Sequence, residues 1–184
     1  MKIATYNIWN SDHGMPEREQ QIIDQIKSLD ADVIALKEVR DQVFNQKMAY
    51  DTGYEHFCFA SHKDGLNISG VSMDEGLSVL SKHPIIYLNH IEDALIVIIK
   101  QHDQTILFVN VHLPWDSVLA QEKSIVNIMN EIATLSSDYR FILGDFNCAE
   151  TSSVHQYIKG YRSLNNTEVK HYWTDLALVA EEFL

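Results

Sequence analysis

Two stretches of this chain repeat one order: an apolar strand, an amphipathic helix and a second apolar strand. The first begins with Lys2-Ile3-Ala4-Thr5-Tyr6, which runs into Asn7. Ile22, Ile23, Ile26 and Leu29 then fall on one face at helical spacing, and Asp32-Val33-Ile34-Ala35-Leu36-Lys37 runs into Glu38. Pro16 suits the first turn of that helix, and Glu17 and Glu19 suit its positive end. In the second stretch Ile106-Leu107-Phe108-Val109-Asn110-Val111 runs into His112. Ile125, Ile128, Met129, Ile132 and Leu135 form the inward helix face, with Asp116 or Ser117 as the cap and Ser136-Ser137-Asp138 as the break. Phe141-Ile142-Leu143-Gly144 then runs into Asp145, with Asn147 two residues on. So long a crossover implies parallel neighbouring strands. Parallel neighbours bring Asn7 and Glu38 out at the same sheet edge, where ligands collect in open α/β sheets.

The rest of the chain is β-rich. Tyr54 to Phe59 is an aromatic strand-like stretch, and Gly76 to Ser81 reads as a strand after a polar run from Lys63 to Glu75. Ala94 to Gln101 and Gln104 to Val111 form a hairpin around His102-Asp103, and Ser152 to Lys159 a short helix stopped by Gly160. No Pro/Gly-rich linker interrupts the 184 residues, so one domain over 1–184 is the expectation. No apolar run reaches membrane-span length. Met1-Lys2 leads straight into strand material without signal-peptide organisation, which predicts cytoplasmic residence. Cys58 and Cys148 form no paired motif, which argues against a disulfide framework. The net charge of −12 and the lack of a basic cluster weigh against a non-specific duplex binder.

The polar strand ends carry the chemistry. A carboxylate such as Glu38 is costly to bury at an apolar strand end unless it is paired or metal-bound, and Mg²⁺ needs only one or two carboxylates because it keeps several waters. Asp145 can orient or deprotonate an attacking water, and Asn147, on the same side of an extended segment, can donate to a phosphate oxygen. His112 can bind a phosphate oxygen through one ring nitrogen while Glu75, or equally Asp74, holds the other. Asn7 offers an uncharged donor and acceptor beside Glu38. Each residue also has an ordinary use: a solvated strand end for Glu38, an Asp/Asn turn for Asp145 and Asn147, a structural imidazole for His112, a turn residue for Asn7. Tyr172-Trp173-Thr174-Asp175 reads either as a strand or loop over the site or as core packing.

Five segments in order resemble the endonuclease/exonuclease/phosphatase superfamily, the fold shared by pancreatic-type deoxyribonucleases, abasic-site endonucleases, neutral sphingomyelinases and inositol-polyphosphate phosphatases. They are Ala4-Thr5-Tyr6-Asn7, Leu36-Lys37-Glu38-Val39, the run from Glu75 to Ile85, Val109-Asn110-Val111-His112 and Gly144-Asp145-Phe146-Asn147. The resemblance implies a four-layer α/β sandwich of two packed mixed β-sheets with helices outside, and hydrolysis of a phosphoester or phosphodiester with Mg²⁺ or Mn²⁺. By motif, Glu38 would bind the metal and Asn7 would support metal and phosphate. Glu75 would orient His112, while Asp145 and Asn147 would position water and phosphate. The substrate stays open among nucleic acid, phospholipid and a small phosphodiester, with the Lys63 to Asp74 loop and Asn10 to Met15 as its determinants.

Two departures stand out. Lys37 occupies a position where many relatives carry Gln, and it either pairs with phosphate or points away. Relatives also continue into an Arg-x-Asp-Tyr-like strand and a terminal Ser-Asp-His, which does not occur here. The expectation is therefore a domain lacking its C-terminal strands, with an open edge that a dimer mate or another partner would complete. The competing reading is a non-catalytic relative that binds phosphorylated ligands or a protein partner.

Overall fold

A computed structural model describes residues 1–66, 72–91 and 93–181, with side chains at all of these except 62–66, 72–74, 180 and 181. The chain divides into two compact units. One comprises Met1–His112 with Ser137–Asp145, the other Leu113–Ser136 with Phe146–Leu184.

The first unit holds eight strands in two four-stranded mixed sheets. Sheet A has the order β1 (Ile3–Asn7), β2 (Val33–Val39), β4 (Ser72–Ser81), β3 (His56–Leu66). Sheet B has the order β5 (Ile85–Ile91), β6 (Ala94–Gln101), β7 (Gln104–His112), β8 (Tyr139–Asp145). Both pairs expected to be parallel are parallel and adjacent, β1 with β2 and β7 with β8. The β6–β7 hairpin turns at His102-Asp103, where His102 takes the positive φ that a tight turn needs.

Alternation along β2 explains the layering. Val33 joins Leu77, Val79, Leu95, Val97, Ile99, Ile106 and Phe108 in one apolar cluster built from both sheets. Ile34 and Leu36 face the other way, into a cluster with Ile22 and Ile26 of α1 (Glu17–Leu29) and Met48 and Ala49 of α2 (Gln42–Thr52). The hydrophobic face of α1 is therefore the one expected from Ile22, Ile23 and Ile26, all buried. A sheet with one face on helices and one on a second sheet must be apolar on both, and β2 is buried at every residue except Glu38.

The second unit carries α3 (Val118–Ile132), α4 (Ser153–Ile158) and α5 (Leu176–Glu181). Ser117 caps α3 by accepting from Ala120 N, and Ser152 caps α4 by accepting from His155 N. Ile125, Ile128, Met129 and Ile132 are buried as expected. The fold class is that of a four-layer α/β sandwich. Among the described residues no strand follows β8.

Two expectations need correction. The polar run from Lys63 to Glu75 is not simply a loop: β3 and β4 continue through it, pairing Lys63 with Glu75, Asp64 with Asp74, Gly65 with Met73 and Leu66 with Ser72. Backbone ladder bonds hold such a ribbon irrespective of side-chain polarity, so the apolar pattern ended before the strands did. Residues 67–71 of the expected specificity loop lie outside the described residues. Of the readings of the Tyr172 to Asp175 segment, strand and core fail and the loop stands: Tyr172 is 79% exposed and Asp175 accepts from Ala177 N at the start of α5.

Candidate active site

Sheet A delivers its polar residues through an irregularity. Leu36 pairs with Ser78 and Val39 with Gly76, so β2 advances three residues where β4 advances two. This β-bulge reverses the alternation, and Val39 lands on the same helix-side cluster as Leu36. Glu38 sits inside the bulge at φ 58. That left-handed conformation costs a non-glycine residue about 1–2 kcal/mol. Opposite it, a Cβ on Gly76 would stand 2.2 Å from Ala60 O, so only glycine lets the three strands close there.

Sheet B delivers its residues in plain register. Val111 pairs with Gly144 and His112 with Asp145, so imidazole and carboxylate leave adjacent parallel strands at the same end. Gly144 has φ 146, and a Cβ on it would lie 2.0 Å from Val111 O. The close approach of the two strand ends depends on that missing carbon.

These ends meet around one amide. Asn7 Nδ2 donates to Glu38 Oε1 at 2.7 Å and to Asp145 Oδ2 at 3.2 Å. Trp9 N donates to Asn7 Oδ1 at 3.0 Å, which fixes the orientation of the amide. His112 Nε2 lies 3.9 Å from Glu38 Oε1, an ion-pair separation when the ring is protonated. His112 is nearly buried, at 8% exposure. Asn7, Glu38, Asp145 and His112 are therefore brought together from both sheets.

Glu75 joins through Asn10, the first residue of the segment expected to determine the substrate. Asn10 N donates to Glu38 Oε2 at 3.1 Å, and Asn10 Nδ2 donates to Glu75 Oε2 at 3.4 Å. Arg40 Nε in turn donates to Asn10 Oδ1 at 3.3 Å, and its guanidinium pairs with Asp12. Arg18 anchors the same loop by donating to the carbonyls of Ile8, Trp9, Ser11 and His13, with the Trp9 ring stacked 4.9 Å from it. Trp9, Asn10, Met15, Arg18, Glu38, Arg40 and Phe44 are among the residues lining a small cleft there. Asn147 belongs to the second unit, at φ 49, where its Nδ2 donates to Leu113 O at 2.8 Å and its carbonyl accepts from Gln121 Nε2 at 2.9 Å.

Two buried polar residues stand behind the cluster. Asn110 on β7 donates across the interface between the sheets to Leu36 O at 2.8 Å and Ser78 O at 3.0 Å, the carbonyls flanking the bulge. Lys37, 2% exposed, points into the protein and away from solvent. Its Nζ donates to Thr5 Oγ1 and, at 3.3 Å, to Ala35 O. Burial pushes this ammonium down to about 8, against the pull of the Asp145 and Glu38 carboxylates. Cys58 on β3 is partly buried, and burial pushes its thiol up to about 12. Among the described residues no group of three or more His, Cys, Asp or Glu side chains is arranged to hold a metal ion.

Fold and site together define a class, a two-sheet sandwich with carboxylates, amide and imidazole gathered at strand ends. A model of the Endonuclease/Exonuclease/phosphatase family matches residues 4–179, and the chain belongs to that family. It is 35% identical over 80 residues to a probable CCR4-Not complex 3'-5'-exoribonuclease subunit Ccr4 from Vairimorpha ceranae (strain BRL01), covering 40% of this chain and 17% of that protein. Among solved structures it resembles ANGEL2, a 2',3'-cyclic phosphatase, with TM-score 0.71 and 18% identity over 86% of this chain and 56% of that one. It also resembles a beta toxin mutant from Staphylococcus aureus with bound magnesium ions, with TM-score 0.69 and 15% identity over 84% and 67% of the two chains. The chain thus spans under a fifth of the curated relative and between half and two thirds of these two structures.

Proposed function

We propose that this chain carries the catalytic scaffold of a divalent-metal-dependent phosphoesterase. The observation that supports it most is the convergence of Glu38 and Asp145 on the single nitrogen of Asn7, at 2.7 and 3.2 Å. Two carboxylates gathered beside one amide offer a hard-oxygen donor set, with the His112 ring 3.9 Å from one of them. That set fits Mg²⁺ or Mn²⁺, which take carboxylate, amide oxygen and water, better than it fits Zn²⁺. The magnesium bound by the similar beta toxin agrees with this choice.

Glu38 and Asn7 would hold the cation, which when bound polarises the phosphoryl oxygen. Asp145 would hold a water by its carboxylate and take its proton. His112, beside Glu38, would donate to a phosphate oxygen through a ring N–H. Glu75 would act on the site by orientation, and Asn147, two residues beyond Asp145, would offer an amide donor to phosphate. The substrate is a phosphoester, nucleic acid being one class alongside phospholipid and small phosphodiesters. The reading includes a cytoplasmic enzyme, and no helix among the described residues is long and apolar enough to cross a membrane.

The test is hydrolysis of bis(p-nitrophenyl) phosphate with Mg²⁺ and Mn²⁺ added in turn. Turnover that needs the metal and falls by about a hundredfold or more in both Glu38→Ala and Asp145→Ala supports the proposal. Turnover that survives chelation or both substitutions contradicts it. Metal-dependent stabilisation without turnover would instead favour a phosphate-binding relative.

A further inference from the structure

Trp9 has properties that core packing does not explain. It is 54% exposed, and its backbone stands at φ 55, a conformation that bulky residues rarely adopt. With that backbone its N–H reaches Asn7 Oδ1 at 3.0 Å, on the amide that gathers Glu38 and Asp145. Trp9 and Glu38 line the same cleft. The indole is held rather than free, with the Arg18 guanidinium 4.9 Å from the ring centroid. Nη1 of Arg18 donates to Ser11 O at 3.1 Å and His13 O at 3.0 Å, and Nη2 donates to Ile8 O at 3.0 Å and to Trp9 O. Each of these nitrogens carries two N–H groups, so both are fully engaged. Arg18 therefore serves the loop and the ring and leaves phosphate to other groups. The His13 ring stands 6.2 Å from the indole, tilted by 49° rather than stacked.

From this geometry we infer that Trp9 is a specificity-determining residue, its open ring face a stacking platform for an unpaired nucleobase carried by the substrate. The inference rests on the metal-site reading above and narrows its substrate to phosphoesters of nucleotides. A rigid aromatic face loses little conformational freedom when a flat partner lands on it, and every base has such a face. The quaternary ammonium of a choline lipid also favours an indole. Here, however, Arg18 already places a positive charge against the same ring, and a second cation would be repelled by it. A neutral base meets no such opposition.

The test is tryptophan fluorescence of the full chain. Of its three tryptophans, Trp115→Phe and Trp173→Phe leave Trp9 alone as reporter. Adenosine 5'-monophosphate is titrated in Mg²⁺, with ribose 5-phosphate and phosphocholine as competitors. The expected result is saturable quenching, with the nucleotide binding at least about tenfold more tightly than either competitor. A single-stranded deoxyadenylate hexamer that quenches at lower concentration supports the inference with a nucleic-acid strand as the source. Equal or weaker quenching by the hexamer supports it with a mononucleotide. No quenching by the nucleotide overturns the inference, as does a competitor that binds as tightly, phosphocholine then favouring a lipid headgroup. Should the double variant not fold, the wild type is compared with Trp9→Leu. Quenching present in the wild type and absent in Trp9→Leu supports the inference, and equal quenching in both overturns it. Metal-dependent turnover of bis(p-nitrophenyl) phosphate without quenching would leave the metal-site reading standing and the platform refuted. Quenching without such turnover would do the reverse.

Discussion

The two sheets bring polar residues to the same cluster by opposite means. Sheet B uses plain register: His112 and Asp145 are a cross-strand pair, about 4.8 Å apart in the hydrogen-bonding direction, and one glycine lets the strands approach. Sheet A uses distortion: an extra residue in β2, Glu38 at φ 58, and Gly76 closing against Ala60 O. A regular strand would have sent Glu38 to the helix-side layer with Leu36, into an apolar cluster. The bulge re-aims it, at a backbone cost of about 1–2 kcal/mol. The difference teaches that the regular sheet fixes where the site is, and the distorted one supplies the residue that ordinary geometry would bury.

Each half of that contrast can be broken separately. The largest effect is expected at Gly144, where Ala would place a Cβ 2.0 Å from Val111 O at a φ that L-residues rarely adopt. Gly144→Ala should lose about 3 kcal/mol or more, or fail to fold, as read by urea denaturation. A loss under 1 kcal/mol would mean the close pairing of β7 and β8 is not required.

Next comes the link between the sheets. Asn110→Ala removes both hydrogen bonds to Leu36 O and Ser78 O and leaves two carbonyls beside the bulge without them. The expected cost is about 2–3 kcal/mol with weaker Mn²⁺ binding. Unchanged Mn²⁺ affinity would show that the bulge keeps its shape unaided.

The smallest effect lies at the far end of sheet B. The N–H and hydroxyl of Thr105 hold the exposed Asp138 carboxyl below its usual 3.8. Its folded value is depressed, so its contribution is present above pH 3.8 and is lost as pH falls through that lower value. Asp138→Asn should flatten the acid limb of the stability profile slightly and leave Mn²⁺ binding alone. An altered metal affinity would mean the two ends of the β7–β8 pair are coupled.

The regular half was the legible half. Apolar runs ending in His112 and Asp145, the β6–β7 hairpin and the Ser117 cap follow from periodicity and capping, and the structure has each of them. Asn7, Glu38 and Asp145 were legible as strand ends, but nothing in Leu36-Lys37-Glu38-Val39 signals a bulge, because a run of buried residues has no alternation to break. Helix α2 escaped notice for a different reason. Val43 and Tyr50 face solvent while Asn45 is buried, so its apolar pattern does not follow the helical period. Its Asp41 cap and Gly53 stop were nevertheless present. Strand β5 was missed because short half-exposed alternation in Ile85–Ile91 is weak beside its fully buried neighbours. Asn10 was legible only as the start of a specificity segment, since a loop residue that bonds one carboxylate through its backbone and another through its amide is defined only in three dimensions.

The central claim is that the strained Glu38 exists to bind a cation. Melting temperature with and without Mn²⁺, for the wild type and Glu38→Gly, tests it most directly. Glycine relieves the left-handed backbone and removes the carboxylate together. The account predicts that the wild type gains stability from Mn²⁺, while Glu38→Gly is at least as stable as the metal-free wild type and gains nothing. A variant that gains as much from Mn²⁺ as the wild type would contradict it.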